Sequence, residues 1–193
     1  MHDRIPFRVQ PMLATLVGKA FNEPGWVFEE KYNGIRVLAY KEGKRVSLLS
    51  RNDMDRTENF PEIVATIANL KPTTLLLDGE IVVFDRSRVS RFQLLQQGKG
   101  HPFYAIFDCL YANGSDLRQK PLSDRRKMLE RVVPTDKALL LVLDSIIDDF
   151  EFNVASLIGR SGVQALFHSA MVEYHARVRS ILRSTIIFSN PAR

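Results

Sequence analysis

At 193 residues, 45% of them apolar and 25% charged, the chain can bury one good core or two small ones and has an ordinary globular balance. A net charge of +5 suits a polyanion-binding surface without demanding one. No run of about eighteen apolar residues marks a membrane span, and the polar start "MHDRIPFRVQ" is unlike a signal peptide, so the expected compartment is the cytoplasm.

In chain order, "WVFEEKY" and "IRVLAY" read as strands, and "KEGK" (41–44) as a hairpin turn into "RVSLLS", with Gly43 free to take positive φ. "NFPEIVATIANL" spaces Phe60, Ile63, Val64, Ile67 and Ala68 as a helix, with Asn59 and Glu62 as a capping-box pair. "TLLLDGEIVVFD" (74–85) predicts another strand and "SRFQLLQQG" (90–98) a short helix ended by Gly98. "FYAIFDCLY" (103–111) predicts a strand before an Asn113-Gly114 turn. Cys109 is the one cysteine, which excludes an intrachain disulfide and a Cys-rich zinc site; its apolar neighbours predict a buried thiol. "LSDRRKMLERVV" reads as a helix N-capped by Ser123, with Met128, Leu129 and Val132 on one side, and "ALLLVLD" as a strand.

Beyond Asp144 the character changes. Residues 1–137 hold 22 Lys+Arg against 17 Asp+Glu, residues 138–193 hold five of each, and no lysine follows Lys137. A helix around 163–183 is one reading of the tail, and "HSAMVEYH" spaces His168 and His175 two helical turns apart, a weak metal signal.

On an extended strand Glu29, Lys31 and Asn33 share one face and Phe28, Glu30 and Tyr32 the other. A lysine desolvated beside an apolar sheet can lose its proton and act as a nucleophile, and the bare backbone of Gly34 would admit a phosphate. Taken alone, Lys31 reads equally as a surface lysine beside a turn.

The ordered series "KYNGIR" (31–36), "SRN" (50–52), "LDGEIV" (77–82) and "AIFDCLY" (105–111) resembles the ATP-dependent DNA ligases, especially the bacterial end-joining repair ligases, over residues 10–143. The resemblance implies an α+β nucleotidyltransferase adenylation domain of ATP-grasp-like type, with antiparallel sheets flanked by helices and the nucleotide between them. It implies that Lys31 attacks the α-phosphate of ATP, expels pyrophosphate and carries AMP, which then passes to the 5′-phosphate of nicked DNA. By the same matching Glu29 helps recognise adenine, Arg36 and Arg51 meet ribose and phosphates, Phe107 stacks on the purine, and Glu80 binds ribose hydroxyls or Mg2+. Those roles suit the residue types. Asp78 and Asp108, inside the matching motifs, read as structural strand or turn residues.

Two departures stand out. The family's Lys-x-Asp-Gly is here Lys-x-Asn-Gly, which removes a carboxylate beside Lys31 and so eases its deprotonation; related RNA ligases can carry asparagine there. The family's later Glu-Gly-Val-like and Lys-x-Lys segments, and its oligonucleotide-binding-fold domain, are not found. The expectation is therefore a partial adenylation domain over 1–143, impaired in nick sealing, with a divergent tail over 144–193 that a shifted reading frame would explain. The alternatives are a noncatalytic nucleotide- or nucleic-acid-binding remnant and a ligase of RNA ends.

Overall fold

The computed structural model describes residues 5–13, 32–134 and 138–142, together with the strand backbones of Val27–Glu29 and Ile187–Ser189. The chain divides into two compact units. In the smaller, β1 (Val27–Glu29) pairs antiparallel with β8 (Ile187–Ser189), Phe28 opposite Phe188. The expected helix at 163–183, His168 and His175 lie outside the described residues.

The larger unit is built on one sheet. Its strands are β2 (Ile35–Glu42), β3 (Arg45–Ser50), β4 (Thr74–Val82), β5 (Phe103–Ala112), β6 (Ser115–Asp116) and β7 (Leu139–Leu141). They run in the order β3-β2-β4-β5-β6, and β7 also pairs with β5. The β2–β3 hairpin forms as the sequence predicts, with Gly43 at φ 60°. The Asn113-Gly114 turn also has positive φ at both residues and joins β5 to β6, the backbone that a tight hairpin requires.

Alternation on β2 and β4 divides the core. Val37, Ala39, Leu75, Leu77 and Ile81 bury one face beneath Ile63 and Ile67 of α1 (Pro61–Ala68) and Leu129 of α3 (Leu122–Val132). Leu38, Tyr40 and Leu76 bury the other face, where Ile5 and Val9 of the amino-terminal segment pack. The Val9 N–H donates to Tyr40 Oη at 2.9 Å, which fixes that segment on the sheet. A third cluster, Val82, Ala105 and Val142 with Tyr32, Phe84, Phe103 and Phe107, closes one end. Cys109 is fully buried, as its neighbours predicted, and burial pushes its thiol up to about 12.

Three local expectations fail for physical reasons. The Asn59/Glu62 capping box does not form: Phe60 is the N-cap of α1 with no side-chain bond. Asn59 instead ends a 3-10 turn over Thr57–Asn59, and Glu62 faces His101 at 3.6 Å. Pro61 at the first helical position needs no N–H partner, so the helix starts without a cap. Ser123 is likewise not the N-cap of α3, because Pro121 holds that place. The sheet is also not wholly antiparallel, since β7 runs parallel to β5, Ala105 opposite Leu140; α3 lies between the two strands in sequence and supplies the crossover that a parallel pair needs. Among the described residues no helix is long and apolar enough to cross a membrane.

Candidate active site

Three of the expected site residues come from neighbouring strands. Arg36 on β2 stands opposite Glu80 on β4, and Glu80 stands opposite Ala105 on β5. Phe107 has no partner in the β4 register, which shifts between Asp78 and Gly79. Such a bulge re-aims a side chain, and here the Phe107 ring lies with its centroid 5.1 Å from the Arg36 guanidinium carbon. Arg51 follows β3, and its N–H donates to the Arg36 carbonyl at 3.2 Å, so its backbone is adjacent while its side chain is exposed.

Asp78 organises this group. Arg36 Nε and Nη2 donate to its two carboxylate oxygens at 3.0 and 2.7 Å, a fork-on-fork pair. Burial pushes the Asp78 carboxyl up, but a bidentate guanidinium that does not deprotonate keeps it charged. Burial also opposes the Arg36 charge; the bonds and charge of Asp78, with Glu80 beyond, outweigh it and raise the guanidinium. Arg36 is thus held by a carboxylate while its flat face lies on an aromatic ring, a cation–π contact. Asp108 is held in a comparable way by Arg125 of α3, whose Nε and Nη2 approach its oxygens at 2.8 and 2.9 Å. Both aspartates act as internal clamps, as their strand positions suggested.

The Asn33-Gly34 pair is pinned by two side chains. The Asn33 N–H donates to Ser90 Oγ at 2.9 Å, and the Gly34 N–H to Glu80 Oε1 at 2.6 Å. The glycine has a different reason from phosphate approach: a Cβ on Gly34 would lie 2.1 Å from the Ile81 carbonyl oxygen of β4. It is a close crossing of backbones that requires glycine here. Ser90 carries no motif that would single it out in the sequence; its 57-residue separation from Asn33 is bridged only by folding.

Lys31 lies outside the described residues, and Glu29 is described only as the last backbone position of β1. Among the described residues no group of three His, Cys, Asp or Glu side chains could hold a metal ion. Glu80 alone suits a magnesium ion that takes most of its oxygens from phosphates and water, as is usual for nucleotide-bound magnesium.

Comparison with known proteins adds a separate line of observation. The family described as "ATP dependent DNA ligase domain" matches residues 11–154. The multifunctional non-homologous end joining protein LigD of Pseudomonas aeruginosa is 37% identical over 134 residues, covering 67% of this chain and 16% of the relative. A DNA ligase of Methanococcus aeolicus is 29% identical over 199 residues, covering 91% of this chain and 35% of the relative. The chain thus spans about a sixth to a third of these curated relatives. Among solved structures, mycobacterial DNA ligase D complexed with ATP and MES superposes with a TM-score of 0.53 at 32% identity, covering 62% of this chain and 40% of that one.

Proposed function

Since the chain belongs to the ATP dependent DNA ligase domain family, we propose that it contributes the nucleotide-binding and lysine-adenylating part of a ligase that seals nicked DNA in repair. Lys31 is the nucleophile: its neutral amine attacks the α-phosphate of ATP, the N–P bond forms as the bond to pyrophosphate breaks, and the nitrogen then gives one proton to solvent. The AMP then passes to a 5′-phosphate, and a 3′-hydroxyl displaces it.

The observation that carries this reading is the convergence of Arg36, Glu80 and Phe107 on adjacent strands, with Glu80 oriented by the Gly34 N–H two residues past Tyr32. Arg36 and Arg51 meet the phosphates and ribose, Phe107 supplies a flat surface for the purine, and Glu29 helps recognise adenine. Glu80 holds the ribose hydroxyls or Mg2+; magnesium, when bound, offsets charge on the phosphates. The lysines that the family places later are not among these residues, so labelling is expected to be slow. A cytoplasmic location fits the same reading.

Incubation with Mg2+ and ATP labelled at the α-phosphate tests it. Covalent label in the parent chain and none in Lys31→Ala supports the enzyme; ATP binding without label in the parent would make the chain a noncatalytic nucleotide binder. Nicked DNA offered beside nicked RNA then identifies the strand that receives AMP.

A further inference from the structure

We propose that a second cleft, on the opposite face of the sheet from Arg36, binds a nucleotide unit, with its phosphate on Arg56 and Lys99. This goes beyond adenylation and does not depend on it. Ile35 alternates with Arg36 along β2 and helps form the floor of a cleft of 570 Å³ between the start of α1, the short helix α2 (Phe92–Gln96) and the following loop. That volume is of the size that holds small ligands, roughly 300–1,000 Å³.

Its chemistry is one-sided. Among the described lining residues there are two cations, Arg56 and Lys99, two side-chain amides, Asn59 and Gln96, and no carboxylate. From residue 86 to residue 107 the sequence holds three arginines and Lys99 but no acid. Glu62, on the neighbouring helix α1, is engaged by His101. Arg56 Nε is buried and has no hydrogen-bond partner among the described residues, while its Nη2 reaches only a weak acceptor, Met54 Sδ at 3.7 Å. A buried donor of this kind is poorly satisfied until an acceptor arrives, and a phosphate oxygen is the strongest partner for a guanidinium.

The rest of the cleft suits a base. Phe92, half-buried, offers an aromatic edge or face above an apolar floor that includes Val83. Asn59 and Gln96 each carry both a donor and an acceptor, the pair of functions a base edge presents. A plain inorganic anion would leave the apolar floor uncovered, and an apolar ligand would leave Arg56 unmet. The same unit can arrive as a free mononucleotide or as the unpaired end of a DNA strand.

Titrating the isotopically labelled full chain with thymidine 5′-monophosphate, and separately with 5′-phosphorylated pentathymidylate, separates these sources. The amides of Gly98 and Gly100, both on the cleft wall, are expected to shift saturably with at least one probe, and Arg56→Gln to weaken that binding about tenfold, a loss typical of one charged bond. Lys99→Gln, on an exposed loop, should weaken it less and covers the case of an unfolded Arg56 variant. Tighter binding of the pentathymidylate assigns the cleft to strand ends; tighter binding of the mononucleotide assigns it to free nucleotide. Unmoved Gly98 and Gly100 amides at millimolar probe, or parent-like titration by both folded variants, would overturn the proposal. Lys31 labelling without these shifts sinks the cleft alone; shifts without labelling sink the adenylation reading alone.

Discussion

Gly34→Ala adds one carbon where β4 leaves no space for it. The new Cβ would lie 2.1 Å from the Ile81 carbonyl oxygen and 2.9 Å from both the Ile81 carbonyl carbon and Val82 Cγ1. Ile81 cannot withdraw, because it is in register with Ile35 on one side and Tyr104 on the other. Relief therefore requires residues 33–34 to move outward by about 1 Å, an overpacking strain of about 1–3 kcal/mol. The same movement stretches the 2.6 Å bond from the Gly34 N–H to Glu80 beyond useful length, and a lost hydrogen bond to a charged group costs about 1.5–3 kcal/mol. Together these predict about 2.5–6 kcal/mol of destabilisation in urea unfolding followed by circular dichroism. Gly43→Ala is the comparison: its Cβ meets open space, and only the φ of 60° resists it, at about 1–2 kcal/mol. Lysine labelling from ATP should fall far more in Gly34→Ala than in Gly43→Ala. If the two variants unfold at similar urea concentrations and label at similar rates, the close crossing of residue 34 over β4 is not what places this segment.

Asp78→Ala strands the Arg36 guanidinium, whose side chain is 18% exposed, and should cost about 3–5 kcal/mol, with part of the loss recovered in the double variant with Arg36→Met. A double-mutant cycle in urea showing no coupling would contradict the clamp. Cys109, its thiol pushed up to about 12 and fully buried, should react with a disulfide reagent at pH 8 only as fast as the chain opens; reaction at the rate of a free thiol would contradict its burial. Asp116 is held below its ordinary 3.8 by the hydrogen bond from Arg118. Its contribution is therefore present above pH 3.8 and lost as the pH falls through the lower folded value. Asp116→Asn should flatten the acid limb of the stability curve below pH 4, a range in which the parent loses stability more steeply.

The strands, hairpins and helices of the larger unit were readable because their apolar periods are clear: β2 and β4 bury both faces, and Ile63 and Ile67 sit one turn apart on the buried side of α1. Helix starts were misread because Ser, Asn and Glu imply a cap only where the chain leaves them room. Pro61 and Pro121 instead set the starting geometry through their fixed φ. Residues near one another in a motif were easy to group, whereas Ser90 and Asn33 meet across 57 positions that no local pattern records. Arg125 illustrates the same limit: it sits on α3 among charged neighbours, yet it is buried because Asp108 and the Lys120 carbonyl receive it. The pairing of Arg36 with Asp78 was equally hidden, since alternation gives the face a side chain takes and not the partner it finds there.

The β4–β5 register shifts twice, between Leu76 and Leu77 and between Asp78 and Gly79, leaving Leu110 and Phe107 without partners. Each extra residue is absorbed locally, so the paired residues on either side of it keep the faces of their β4 partners: Cys109 serves one core with Leu77, and Tyr111 the other with Leu76. This strand is therefore expected to accept a change of length of one residue at either shift. Removing Phe107 or Leu110, singly or together, would straighten β5 and leave its paired residues on the faces they already serve.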